Sequence, residues 1–414
     1  MKQRELICSR CSVRQPFRYH NMKCVCGGTL LVDYDIEQIA NTFSKTALPY
    51  RSPSMWRYHE LLPVLDEANI VSLGEGGTPL LRMPAWERKL PLGQLYLKRE
   101  EQNPTGSFKS RGFSAAVSLL KEAGVHKAAV PSNGNAAGAL AAYAGRAGIE
   151  AYVFIPQDCP PLIVQECPLY GAHTFLVDGF IHDAGTIIEA GAAEQGWVNV
   201  GTLKEPGRVE GKKTMGLELA EQLGWTFPDV IIYPTGGGSG IIGMWKAYRE
   251  LKALGWVSCD MPRFVCVQEV GCQPLVDGVS SPAADPSGTA DTAAAAFKQP
   301  VAPNPTGMRV PAPPDLPLLL AIVRESGGTA VAVSKEEIAE ATRQLGAQGI
   351  SASPEGSATW AAMLRLCDSG WLRGQDRVVL FNTSHAMKYA QPGDAARSLP
   401  VLRSYTDFVQ QQGQ

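Results

Sequence analysis

Eight short apolar runs recur along the chain, rich in β-branched residues and without strict polar–apolar alternation: Gln94–Glu100, Lys127–Asn133, Ala151–Pro156, His173–Asp178, Asp229–Thr235, Arg263–Val270, Gly328–Ser334 and Arg377–Thr383. A strand with one wet face alternates, so runs like these predict strands covered on both faces. Between them lie Ala- and Leu-rich stretches with helical periodicity, at 113–124, 135–148, 211–224, 241–255, 335–349 and 358–370. Each stops at a glycine, as helix C-termini commonly do. Strand–helix alternation on this scale predicts an open, mostly parallel α/β fold. The stretch Ser54–Pro63 reads as an amphipathic packing helix. Residues 279–316, rich in Pro, Ala, Ser and Gly, interrupt the pattern. Strand and helix patterns resume on both sides, so this segment reads as a surface excursion within a domain.

Length adds a domain count. At roughly 100–200 residues per domain, 414 residues predict two or three domains. Hydrophobic residues make up 45% and charged residues 19%, a globular balance that excludes a disordered or fibrous chain. The net charge of −2 would steer neither nucleic acid nor an anionic membrane surface to the protein. No uncharged apolar run is long enough to span a bilayer, and the polar start MKQRELICSR has no apolar signal core. A cytoplasmic protein, without nucleic-acid or membrane partners, is expected.

Four segments carry chemistry. In LKREEQNPTGSFKSRG (Leu97–Gly112) a strand ends, a Pro-Thr-Gly-Ser turn follows, and a helix opens at Phe108 and Lys109. A lysine in a first helical turn is unfavourable against the helix dipole, and the same field lowers the amine pKa and favours a nucleophile. In IIYPTGGGSGIIG (Ile231–Gly243) a strand runs into five glycines and a serine before the next helix. Such a loop turns several N–H groups and a helix N-terminus toward one phosphate. It has neither the Lys-Ser/Thr of a P-loop nor the GxGxxG spacing of a dinucleotide fold. Ser132, Asn133, Gly134 and Asn135 sit between a strand and an Ala-rich helix, where they either cap the helix or hold a carboxylate or ring hydroxyl. FNTSHAMKY (Phe381–Tyr389) is a polar cluster at a late strand end. All four belong at strand carboxyl ends, where open α/β sheets gather ligands.

Together with EGGTPL (Glu75–Leu80), these segments resemble the fold type II pyridoxal-phosphate enzymes, and among them the threonine synthase family, from the cysteine-bearing head to about Tyr389. The resemblance implies a tryptophan synthase β-like architecture of two open α/β domains with parallel-rich sheets. A small domain at 113–207 would be inserted between 35–112 and 208–414 of a large cofactor-binding domain, with a zinc-ribbon-like segment at 1–34. It also implies that Lys109 forms a Schiff base with the cofactor aldehyde. Gly236, Gly237, Gly238, Ser239 and Gly240 would hold the cofactor phosphate, Asn135 its 3′-oxygen, and Thr383 the pyridine nitrogen. A neutral hydroxyl there leaves the ring a weaker electron sink, which suits elimination and replacement. The loop Ser132, Asn133, Gly134, Asn135, Ala136 would grip the substrate carboxylate. Thr78, Lys98, Ser107, Arg111 and Arg208 are candidates for a substrate phosphate.

The implied reaction converts O-phosphohomoserine and water into threonine and phosphate, Lys109 moving protons at Cα and Cβ. Gly201 and Thr202 stand where such enzymes commonly carry an Asn-Ser pair. This leaves open β-replacement on O-phosphoserine, as in an enzyme resembling cysteate synthase, a serine or threonine dehydratase, or a catalytically inactive binding protein. A homodimer acting on a phosphorylated amino acid is the implied assembly. Finally, Cys8, Cys11, Cys24 and Cys26 read C-x2-C-x12-C-x-C, a set of thiolates suited to a structural Zn²⁺ without an open coordination position. The remaining cysteines lie in apolar stretches as small buried hydrophobes. His385 reads as structural and Glu355 as a helix-capping residue.

Overall fold

The computed structural model describes residues 4–281, 304, 306–390 and 401–412. Its strands, in chain order, are β1 (Arg4–Cys8), β2 (Arg14–Pro16), β3 (Leu30–Tyr34), β4 (Leu80–Arg82), β5 (Gln94–Arg99), β6 (Lys127–Pro131), β7 (Glu150–Pro156), β8 (His173–Val177), β9 (Val198–Asn199), β10 (Val230–Pro234), β11 (Arg263–Glu269), β12 (Thr329–Val333) and β13 (Arg377–Asn382). All eight predicted runs form strands. β4, β9 and the three strands of the head are too short or too polar to show the pattern.

Three sheets result. The head is an antiparallel sheet of order β2-β1-β3, and a four-stranded parallel sheet has order β8-β7-β6-β9. The six-stranded sheet has order β12-β11-β10-β13-β5-β4, parallel except for the edge strand β4. The lack of alternation is explained by cover on both faces. Ile231, Tyr233, Phe264 and Phe381 pack into one core, while their neighbours Val230, Ile232, Val265 and Leu380 pack into another on the opposite face. Each such fully buried side chain contributes roughly 1.5–3 kcal/mol.

The helix Gly207–Gln222 is buried for almost its whole length. Gly211 lets it lie against the Lys109–Glu122 helix, because a Cβ there would fall 2.0 Å from the Arg111 carbonyl oxygen. This close packing places side chains of both helices behind the same strand ends.

Two sequence expectations change. Met55–Leu61 is a 3₁₀ segment kinked at Tyr58 rather than an amphipathic α-helix. In the 279–316 segment, residues 282–303 and 305 lie outside the described residues. The part from Thr306 to Arg309 is not a surface excursion: Thr306, Met308 and Arg309 are buried. Among the described residues no helix is long and apolar enough to cross a membrane.

Candidate active site

In both parallel sheets the chain reverses its direction of winding beside a central strand. β10 lies between β11 and β13, and β6 lies between β7 and β9. Crevices open outside the carboxyl ends of strands at such switch points. The loops after β6, β10 and β13 and the helix start at Lys109 converge on one cleft of about 750 Å³ measured out to its mouth. The turn before Lys109 is locked to the end of β13: the Phe108 N–H donates to the Thr383 carbonyl at 2.9 Å, and Ser107 pairs with Ser384.

Lys109 is half-buried, its amine 4.1 Å from the Phe108 ring centroid and without a hydrogen bond among the described residues. Its pKa falls to about 7, chiefly by burial and then by repulsion from Arg208, with Glu355 opposing. The helix dipole invoked from sequence is therefore not the main cause. The glycine loop is glycine because nothing larger fits. A Cβ on Gly236 would sit 2.2 Å from the Gly307 carbonyl oxygen, and one on Gly240 would sit 2.3 Å from the Tyr233 hydroxyl. The N–H groups of Gly236, Gly237 and Gly238 have no acceptor among the described residues. Ser239 opens the helix Ser239–Ala253, whose first N–H groups also point toward the cleft.

Asn133 donates to the Arg309 carbonyl at 2.6 Å. Asn135 donates to the Tyr389 hydroxyl at 2.8 Å, which donates to Glu355 Oε1 at 2.7 Å. Arg208 uses Nη1 on the Val200 carbonyl, 2.8 Å away, and leaves its Nε unpaired.

Of the residues picked from sequence, Lys109, Ser132, Asn133, Gly134, Asn135, Ala136, Arg208, the loop Gly236–Gly240 and Thr383 all line the cleft. Thr78, Lys98 and Arg111 do not, which corrects their expected role at a substrate phosphate. Lys98 lies 2.5 Å from Glu218, and Arg111 bonds Glu100 at 2.7 Å, Glu218 at 3.0 Å and the Thr78 hydroxyl at 3.1 Å. These cations are fully buried and already neutralised, so no charge remains for a ligand. Ser107 is also fully buried off the lining, its hydroxyl unpaired. Glu355, read as a capping residue, faces the cleft instead. Thr202, noted from sequence at the place of an Asn-Ser pair, lines it too, while sequence reading misses Tyr233 and the Gly307–Val310 loop. No local motif marks that loop, because it reaches the site from a Pro-rich stretch. His385 is structural: it caps the 3₁₀ turn Ala386–Tyr389, its Nδ1 accepting from the Met387 N–H.

Whether a phosphorylated aromatic cofactor fits can be judged from unmet polar groups. Asn133 Oδ1, Asn135 Oδ1, Arg208 Nε, the Tyr233 hydroxyl and Glu355 Oε2 are all buried without a partner, and all five residues line the cleft. Buried polar atoms are rarely left so, and their gathering marks a ligand site. Bare glycine amides for a phosphate, the Lys109 amine for an aldehyde and orphaned polar atoms for ring substituents, all on one cleft, fit pyridoxal phosphate.

In the head, the sulfurs of Cys8, Cys11, Cys24 and Cys26 lie within 4.8 Å of one another. Cys8 and Cys26 are 3.4 Å apart and Cys11 and Cys24 3.7 Å. Four thiolates on one tetrahedral zinc stand about 3.8 Å apart, so the set fits that metal.

The chain matches the model of the pyridoxal-phosphate dependent enzymes over residues 71–384. It is 35% identical over 382 residues to a threonine synthase of Methanocaldococcus jannaschii, covering 91% of each chain. It is 32% identical to a threonine synthase of Mycobacterium tuberculosis (strain H37Rv), covering 83% of this chain and 90% of the relative. Maize serine racemase (TM-score 0.62, 21% identity, 81% and 94% coverage) shares its fold. So does a threonine deaminase of T.th. (TM-score 0.58, 24% identity, 74% and 92% coverage). The fold is thus the fold type II architecture expected from sequence, and the chain belongs to the pyridoxal-phosphate-dependent enzymes and, within them, to the threonine synthase family.

Proposed function

We propose that this enzyme is a carbon–oxygen lyase that converts O-phosphohomoserine and water into threonine and phosphate. The observation that carries the reading is that one cleft is lined by two groups able to take an anion together with the Lys109 amine. One is the bare-amide glycine loop. The other is Arg208, which no carboxylate pairs: Glu205 accepts from the Gly207 and Arg208 backbone N–H groups rather than from the guanidinium. A cofactor phosphate accounts for the first, and a substrate carrying its own phosphate accounts for the second. A relative named threonine synthase, matched over 91% of this chain, supports threonine as the product.

Bound pyridoxal phosphate supplies the electron sink for carbanions along the substrate carbon chain. The protein's own groups do the rest. Lys109, with a pKa near neutrality, attaches the cofactor and carries protons at Cα and Cβ. Gly236–Gly240 with Ser239 hold the cofactor phosphate, Asn135 its 3′-oxygen and Thr383 its ring nitrogen. The Ser132–Ala136 loop takes the substrate carboxylate, and Arg208 the departing phosphate. The four cysteines hold one structural zinc. The protein works as a cytoplasmic homodimer.

Incubation with O-phosphohomoserine should release phosphate and form threonine in equal amounts. Phosphate release from O-phosphoserine alone would replace this reading with β-replacement.

A further inference from the structure

Four lysines are buried to less than a tenth of their surface in the described core around the site: Lys98, Lys212, Lys213 and Lys246. Three of them are paired with acids. Lys98 meets Glu218 at 2.5 Å, Lys213 meets Glu210 and Glu250 at 2.5 and 2.8 Å, and Lys246 bonds the same two glutamates. Lys212, with no exposed surface, has no carboxylate partner among the described residues; its one hydrogen bond is to the Ser239 hydroxyl, 2.7 Å away.

An unpaired buried ammonium is costly, and here its surroundings worsen the cost. Arg208 and Lys109 repel it, and burial itself pushes its pKa well down. Glu205 is the one acid that acts the other way, and its oxygens are occupied by backbone N–H groups. Lys212 is not itself part of the cleft lining; it meets the cleft through the Ser239 hydroxyl. Ser239 follows the three bare glycine amides in the chain and lines the cleft with them and with Tyr233, whose hydroxyl is orphaned. Apart from Glu205 and the Phe108 ring, whose centroid is 5.4 Å from the Lys212 amine, the groups named here are donors or cations. The missing member is an anion.

We propose that Lys212 is the buried counter-charge of the cofactor phosphate, acting on it together with Ser239 and the glycine amides. This rests on the cofactor reading above and adds a binding residue to it. A loop of neutral amides alone orients a phosphate but does not balance its charge in a low-dielectric site; Lys212 does both.

The test compares pyridoxal phosphate with pyridoxal, which lacks the phosphate, on cofactor-stripped wild type, Lys212→Gln and Lys212→Met. Equilibrium binding is followed by visible absorbance and by tryptophan quenching. Wild type should prefer pyridoxal phosphate strongly, and inorganic phosphate should compete with it. Both variants should bind pyridoxal phosphate at least tenfold more weakly and pyridoxal unchanged. The stripped Lys212→Met protein should also melt no lower than stripped wild type, since a buried amine without a carboxylate partner among the described residues has been removed. Equal weakening of both ligands, or an unchanged preference for the phosphate, overturns the role of Lys212. A wild type that binds neither ligand overturns the cofactor reading itself.

Discussion

Lys109 carries the lowest pKa that the structure gives any partly accessible amine, about 7 against an ordinary 10.5. The consequence for stability has a definite sign. Below pH 7 both folded and unfolded chains hold the proton, and the folded state bears the cost of a buried charge. Between about 7 and 10.5 the unfolded chain keeps a proton that the folded one has lost, so stability rises with pH. Urea unfolding of the cofactor-free protein should therefore give a higher midpoint at pH 9 than at pH 7, and Lys109→Met should show a smaller rise. An identical rise in both proteins would mean the amine titrates normally. The residue scale is also where sequence reading divides most sharply. Lys109 and Asn135 are legible because they lie at a predicted helix start and strand end; Arg208 is reached only through the family resemblance. Lys98 is misread because its partner, Glu218, lies 120 residues away in the chain, and Arg111 because Glu100, 11 residues before it, and the distant Glu218 both neutralise it. A cation's partner, and hence whether its charge is free, is not written in its neighbours.

At the scale of elements, what the chain announces locally is reliable and what it brings from afar is not. The eight apolar runs became strands, and those in the middle of the large sheet are covered on both faces, while the edge strand His173–Val177 leaves Phe175 and Leu176 exposed. The cleft wall at Gly307–Val310 comes from a stretch whose composition reads as loop, and only its packing on Gly236 reveals it. That packing makes a prediction. In Gly236→Ala the new methyl would collide with the Gly307 carbonyl oxygen, 2.2 Å from the Cβ position. Backbone must move to relieve it, at about 1–3 kcal/mol by the usual cost of overpacking. The variant should unfold at correspondingly lower denaturant and bind pyridoxal phosphate at least tenfold more weakly. Unchanged affinity would show that the loop and the 307–310 wall do not share the ligand.

Across the whole molecule, the head shares one apolar core with the large sheet, the Lys109–Glu122 helix packs into the core of the small sheet, and polar contacts add to both joints. Arg309 pairs with Asp158 at 2.5 Å and Lys388 with Glu166 at 2.6 Å, so residues following the large sheet grip the small one on two sides of the cleft. The head is fastened close by. The Thr29 N–H donates to Asp315 at 3.2 Å, and Lys23 donates to the Pro314 carbonyl at 3.1 Å. Tyr34 reaches Glu210 at 2.8 Å on the helix that carries Lys212. Metal analysis should find one zinc per chain, held by the four cysteines.

Those fastenings give the cysteine cluster a reach far beyond its own few residues. Asp315 and Pro314 follow closely on Val310, the last residue of the wall that closes one side of the cleft. When a chelator strips the head of its ion, the anchor of that wall should go slack before the large core, which the head shares through Leu6, Leu30 and Val32, gives way. Yellow colour should then drain from the protein into a desalting column at temperatures where its circular dichroism is still native. Simultaneous loss of colour and of helix signal would mean that the head supports the fold as a whole and does not keep the door.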